Sequence, residues 1–362
     1  MSSAWGDTLK LSIFGESHGP AIGVVLDGLP SGEELDMERI LRFMDRRRPG
    51  KDPYSTPRKE TDLPRILSGV YNGKTTGTPL AVMIQNSDTH SADYSELASV
   101  ARPSHGDFTG YVRYHGFNDP RGGGHFSGRL TAPLCFAGAA AIQMLERRGV
   151  SVGAHLASVA DIPDLRYSTA ELTVQELLAP GQKSFPVLDD GAGEKMRRRI
   201  EEARLAQDSV GGTVECGILG LPAGVGSPMF GGVENVLSSL LFGIPAVKGV
   251  EFGLGFEGSR LTGSQYNDSF CVRDGEIRTG TNRHGGILGG ISSGMPILFC
   301  AAFKPTPSIS RPQQTVDFIR KEPRELVIKG RHDPCVVPRA VPCVEAAAAF
   351  GILSLWLSCG GK

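Results

Sequence analysis

Two stretches of this 362-residue chain resemble each other, and the repeat restricts the possible folds more than any other feature. "AIGVVLDGLPSG" (21–32) ends in Gly-Leu-Pro-Ser-Gly, and "GTVECGILGLPAG" (212–224) ends in Gly-Leu-Pro-Ala-Gly. Each begins as a β-branched strand and is followed by a helix-period run. Met37, Ile40, Leu41 and Met44 recur at i, i+3, i+4 and i+7, and Val233, Val236, Leu237, Leu240 and Leu241 do the same. Further on, "ILSGVYNGKTTGTPLAVMI" (66–84) matches "ILGGISSGMPILF" (287–299), both ending in Gly-x-Pro before an apolar strand. The offset is 192 for the first pair, from Gly28 to Gly220, and 217 or 221 for the second, from Gly77 to Gly294 or from Ile66 to Ile287. Constant order with a drifting offset predicts duplicated halves with insertions, about 8–100 and 209–310, around a central segment 101–208 and before a C-terminal segment 311–362. Strands preceding helices in both halves predict a mixed α/β (α+β) protein, and halves sharing one core make a single large domain over 1–362.

The 48 glycines are about twice the usual share of ~7% and lie between segments, marking tight turns and close backbone approaches. The net charge of −1 gives no general attraction for nucleic acid or an anionic membrane, so anion binding must come from local clusters. Seven scattered cysteines with no C-x-x-C pair suggest neither a disulfide framework nor a zinc site, and fit a reducing, cytoplasmic compartment. "MSSAWGDTLK" lacks the basic and apolar regions of a signal peptide. "AAAAFGILSLWLSC" is too short to span a bilayer and reads as a buried or interface helix.

Five clusters could carry chemistry. In "FGESHGPA", glycines bracket Glu16, Ser17 and His18 in a turn that would expose His18 at a strand end. In "RPSHGDFTG", His105 again stands between serine and glycine, with Asp107 able to orient its ring for proton transfer. "NDPRGGGHFSGR" lacks the Gly-Lys-Ser/Thr of a nucleotide-hydrolysing loop, but its glycines let backbone N–H groups approach an anion. The apolar helix "LTAPLCFAGAAAIQML" follows, its N-terminus favouring negative charge, and Arg121 and Arg129 offer planar donor forks. "DRRRPG" closes the first amphipathic helix, where at least one arginine answers the helix dipole. In "KGRHDPCVVPRAVP", Asp333 sits in a proline-stiffened bend beside Arg331 and His332; His332 and Cys335 lack the partners of a metal site, and no metal is expected.

Taken together, "FGESHG", "DRRRPG", "RPSHGDFTGY", "RGGGHFSGR", "NRHGGILGGISSGMPI", "FKPTPSI" and "GRHDPCVVPRAVP" resemble the chorismate synthase family, in its order and over almost the whole chain. The resemblance implies a β-α-β sandwich, a homotetramer, and a lyase that eliminates phosphate from the small molecule 5-enolpyruvylshikimate 3-phosphate. The elimination needs reduced FMN without net redox change, with NADPH as a possible reductant. It implies His18, His105 and Asp333 in proton transfer, with Ser17 and Ser127 hydrogen-bonding at the same centre. Arg48, Arg129 and Arg331, together with Arg39 and Arg102, would hold the substrate, and Arg47 is implied near NADPH. FMN contacts carry over onto His125, Phe126, Ser127, Pro245, Ala246, Gly289, Lys304, Pro305, Thr306, Pro307, Ser308 and Arg331. His125-Phe126 replace the family's usual Arg-Ser, where a protonated His125 would restore the lost charge. An NADPH-dependent flavin reductase and a non-catalytic flavin-binding module are the rival readings; dispersed proton donors argue against the latter.

Overall fold

The computed structural model describes residues 3–50, 60–87, 99–328 and 333–360. Two five-stranded antiparallel sheets form its outer layers. The first contains β1 (Ala4–Trp5), β2 (Lys10–Gly15), β3 (Ala21–Asp27), β4 (Pro64–Ser68) and β5 (Leu80–Gln85), in the order β1-β2-β3-β5-β4. The second contains β6 (Ser151–Val159), β7 (Ile162–Pro163), β8 (Gly212–Leu219), β9 (Val247–Phe252) and β10 (Ile297–Phe303), in the order β9-β10-β8-β6-β7. In β3, Ile22, Val24 and Leu26 are buried at a period of two, as are Leu80, Val82 and Ile84 of β5; Val24 pairs with Val82.

Six helices matter here: α1 (Met37–Arg47), α2 (Asp107–Arg113), α3 (Thr131–Glu146), α4 (Asp190–Leu205), α5 (Val233–Leu241) and α6 (Val337–Ser358). The succession β2-β3-α1-β4-β5-α3 recurs as β6-β8-α5-β9-β10-α6, and the strand orders β2-β3-β5-β4 and β6-β8-β10-β9 correspond. Isolated bridges Glu34–Lys74 and Gly226–Ile291 keep the offsets 192 and 217 of the sequence match. Two details differ from the sequence reading. The second unit begins with β6 at Ser151, ahead of the match at 212. The "ILSG" and "ILGG" segments are not equivalent: Ile66 lies in β4, whereas Ile287 opens a short hairpin whose counterpart is Val70–Thr75.

Helices α3 and α6 fill the space between the sheets, α3 against β2, β3 and β5 and α6 against β6 and β8. Both are apolar on every side, as a fully enclosed helix must be. The apolar tail belongs to a 22-residue helix, long enough by length and composition to cross a membrane, yet 89% of its most apolar window is buried inside the protein. A Cβ on Gly138 of α3 would lie 2.1 Å from Ala346 Cα of α6, so only glycine permits this crossing. Gly138→Ala should therefore lower the denaturation midpoint although alanine is favoured in helices by ~1 kcal/mol, because overpacking costs about 1–3 kcal/mol.

One buried polar cluster sits away from the helical layer. His155 of β6, fully buried, lies 3.1 Å from Asp164 and 2.9 Å from Glu215. Burial disfavours its charge, but the two carboxylates outweigh burial and hold its pKa above the ordinary value. A raised folded pKa gives stability that is complete below the unfolded value of about 6.5 and lost as pH rises through the folded one. Urea denaturation across this range should show stability falling on the alkaline side, and His155→Gln should remove that slope.

Candidate active site

A cavity of about 400 Å³ opens where the first turns of α3 and α6 meet the loops before α2 and after β10. Its lining is contributed by chain segments more than two hundred residues apart, which only the folded layers bring together.

The histidine of "RPSHGDFTG" lines this cavity. His105 Nδ1 is 2.7 Å from Asp107 Oδ1, and Arg102 donates to the same carboxylate from Nε at 2.8 Å and from a terminal nitrogen at 2.7 Å. Burial pushes Asp107 upward, but the bonds from Arg102 and His105 prevail and keep it far below the usual carboxylate range. An ionised Asp107 assigns the proton to Nδ1, so His105 Nε2 is the atom available for exchange.

Behind the opposite wall lies a buried charge cluster. Asp62 accepts from Arg47 at 2.8 Å and from Arg129, and Glu60 stands 3.5 Å from Arg129. Arg47 also donates to Thr131 Oγ1 and to the Gly128 carbonyl, both at 3.0 Å, while Arg129 donates to Asn86 Oδ1 at 3.0 Å. Burial would raise Asp62, yet the two guanidiniums hold it below its ordinary value. Burial also works against the Arg47 charge, and Asp62 overcomes it. The Asp62 backbone is left-handed, with φ of 50°, and the cavity-lining Ser104 and Ala246 have φ of 60° and 78°. Non-glycine residues enter this region at a cost, and such strain concentrates at functional sites.

On α6, Arg339 donates to Asp333 at 2.6 Å and to the Arg47 carbonyl at 3.1 Å, and both Asp333 and Arg339 line the cavity. The far wall comprises Ile244, Pro245, Ala246, Lys304, Thr306, Pro307 and Ser308. Lys304 is pushed below its ordinary pKa by burial and by the neighbouring Lys248, and among the described residues no carboxylate lies within 4 Å of it. The cavity arginines pair with Asp62, Glu60, Asp107 and Asp333, so among the described residues that line the cavity Lys304 is the cation with no carboxylate partner.

The glycine triplet reaches the cavity at Gly122. Gly122, Gly123 and Gly124 have φ of 60°, 84° and 54°. A Cβ on Gly122 would sit 2.0 Å from His18 Nδ1 and 3.0 Å from Ser17 Oγ, so these side chains occupy the space that glycine leaves. His18 is therefore buried, not exposed as its turn suggested, and it and Ser17 pack behind Gly122 rather than lining the cavity.

Of the sequence-selected residues, the cavity gathers His105, Asp333, Ser127, Arg129, Arg102, Phe126, Pro245, Ala246, Lys304, Thr306, Pro307 and Ser308. It does not gather several others. Arg48 follows the last turn of α1 with ψ of 135°, leaves the helical face and pairs with Asp45. Arg39 lies on the exposed side of α1 with Glu146. Arg47, implied near NADPH, lines the cavity and is buried, its guanidinium held by Asp62, Thr131 and the Gly128 carbonyl. His125 turns away from the cavity, its ring nitrogens on the Gly15 carbonyl and Ser3, so its side chain does not stand where the resemblance implied a cofactor contact. Gly289 and Pro305 are not part of the lining, and Arg331 lies outside the described residues. Glu60, Asp62, Thr131 and Arg339 were missed. Arg339 was recoverable, because it lies one turn into an apolar helix within a selected motif.

Buried guanidiniums and an imidazole–carboxylate pair meeting at one cavity make the site of an enzyme that acts on a small molecule. The family model for chorismate synthase matches residues 9–357, and the chain belongs to the chorismate synthase family, which are lyases of aromatic biosynthesis. A chorismate synthase of Thermococcus kodakarensis is 49% identical over 347 residues, covering 96% of this chain and 95% of that protein. One from Korarchaeum cryptofilum is 44% identical over 358 residues, covering 96% and 95%. A crystal structure of chorismate synthase superimposes with a TM-score of 0.78 at 27% identity, covering 98% of this chain and 94% of that one.

Proposed function

We propose that this chain converts 5-enolpyruvylshikimate 3-phosphate to chorismate by 1,4-elimination of phosphate, with reduced FMN bound in the cavity. The observation that carries the proposal is the convergence of His105–Asp107, Arg129, Asp333–Arg339 and the Lys304–Ser308 wall on one cavity in a family member. The residues present suit the cofactor: Lys304, short of a carboxylate, with Thr306 and Ser308 would take its phosphate, and Phe126, Ile244, Pro245 and Ala246 offer apolar surface for its ring. Reduced FMN, when bound, supplies the electron-rich ring that the elimination requires.

The chain's residues then have separate roles. Arg129, fixed by buried Asp62, and Arg339, fixed by Asp333, present oriented N–H donors that need not reorganise as charge moves onto the leaving phosphate. His105 exchanges a proton through Nε2, and Asp107 steadies the ring from Nδ1. Asp333 offers a carboxylate oxygen as proton acceptor, and His18 with Ser17 beside it stands one glycine behind the wall, from where it would relay a proton toward phosphate. Ser127 and Arg102 complete the polar wall.

Anaerobic incubation with the substrate and photoreduced FMN should release phosphate, and oxidised FMN should not; release independent of flavin reduction would overturn the proposal. NADPH in place of light tests that reductant in the same vessel. We further propose cytoplasmic residence, consistent with seven unpaired cysteines, and a homotetramer. Strongly exposed Phe230, Phe256, Phe270, Val272 and Ile277 support self-association. Light scattering should give four times the chain mass.

A further inference from the structure

Two cysteines meet beneath the cavity. Cys343, on the second turn of α6, contributes to the cavity lining, and Cys135, on the second turn of α3, lies directly behind it with the sulfurs 3.8 Å apart. Three residues further along each helix, Gly138 meets Ala346, the closest approach of the two backbones described above. A disulfide needs Cα atoms within about 7 Å, and sulfurs at 3.8 Å have roughly 2 Å to close. Of the seven cysteines, these two alone form a facing pair among the described residues.

The two thiols are chemically unequal. The Cys135 S–H points at Cys343 Sγ, and together with Arg47 and Arg339 nearby it brings the Cys343 thiol down to about 7 against the effect of burial. Burial pushes Cys135 well up. Cys343 lines the cavity and Cys135 lies behind it, so Cys343 is the sulfur that meets an incoming oxidant as the thiolate nucleophile and Cys135 resolves.

We propose that Cys343 and Cys135 are a peroxide-reactive dithiol built into the cavity floor. The Cys343 thiolate attacks one oxygen of hydrogen peroxide, the O–O bond breaks and hydroxide leaves, giving a sulfenic acid. The Cys135 sulfur then displaces that hydroxyl, and a Cys135–Cys343 disulfide forms. The dithiol gives up two electrons and its two protons, and the peroxide leaves as two waters. Hydrogen peroxide is close to water in size and reaches a cavity of this volume. Its source rests on the reading above, because reduced flavin exposed to oxygen yields peroxide in the same space; the thiol chemistry does not depend on that reading. The bond would tether α3 to the first turns of α6, where Cys343 Sγ now donates to the Arg339 carbonyl at 3.4 Å. Oxidation should therefore displace Arg339 and stop turnover until a thiol reductant reopens the pair.

The test uses the full chain without flavin or substrate, so its outcome is separate from that of the lyase assay. About one equivalent of hydrogen peroxide is added, the protein is alkylated under denaturing conditions and digested, and the peptides are weighed. The expected result is a linked Cys135–Cys343 peptide pair lighter by two hydrogens, lost with dithiothreitol, absent in Cys343→Ser and retained in Cys359→Ser. In Cys135→Ser, dimedone should label Cys343. Full alkylation of Cys135 and Cys343 while the exposed Cys359 is oxidised would overturn the proposal, as would a Cys135→Ser protein that dimedone does not label.

Discussion

Replacing His105 with alanine should lower kcat by about 10²–10⁴-fold, the range for losing a positioned acid–base group, while leaving the denaturation midpoint nearly unchanged. The imidazole is partly exposed to the cavity, so its removal opens no enclosed void. Its one strong partner, Asp107, keeps both bonds from Arg102 when the ring is gone. Asp107→Asn should act differently. It keeps the shape but can accept Nδ1–H only weakly, loses the pairing that holds Arg102, and should reduce both turnover and stability. Phosphate release with photoreduced FMN, beside circular dichroism for folding, separates the two cases. A His105→Ala protein with unaltered kcat would remove this residue from the proton-transfer scheme.

Asp62→Ala should cost about 3–5 kcal/mol, the usual penalty for breaking a buried ion pair by removing one partner. Two enclosed guanidiniums, Arg47 and Arg129, converge on this one carboxylate. Glu60 stands 3.5 Å from Arg129 and also accepts from Ser87, so it does not replace the carboxylate that both guanidiniums share. The left-handed backbone at Asp62 adds strain that alanine tolerates less well than asparagine does. Asp62→Asn therefore isolates charge from conformation, and its loss should be the smaller of the two. Because Asp62 is held below its ordinary pKa, its contribution is present at neutral pH and fades as pH falls below about 3.9. Urea denaturation of both variants at pH 7 gives the comparison, and a midpoint shift near zero for Asp62→Ala would remove Asp62 as the anchor of the pair.

The scaffold was readable to the extent that backbone demands leave marks in composition. Gly-Leu-Pro turns and helix-period runs announced both units, and we take their common connectivity as descent from one ancestral unit. Glycine triplets and Ser-His-Gly turns flagged the walls because few residue types tolerate those backbones. Orientation was not readable. Arg47 and Arg48 are neighbours in sequence, yet one continues the buried face of Ile40 and Met44 while the other leaves the helix at its last residue. Partners far apart in the chain were equally hidden: Asp62 belongs to no motif, and nothing nearby announces that it will face Arg129. His125 shows the same limit, since a left-handed Gly124 sends its ring toward Gly15 rather than toward the cavity.

The doubled architecture also fixes how many reactions one polypeptide can host. In the first unit, β2 and β3 are joined by a five-residue turn carrying His18; at the corresponding place, residues 160–211 run from β6 to β8 and include β7 and α4. The correspondence of the two units is thus broken by one long insertion, while the cavity still draws its lining from both of them. Ligand titration should accordingly saturate at a stoichiometry of one per chain.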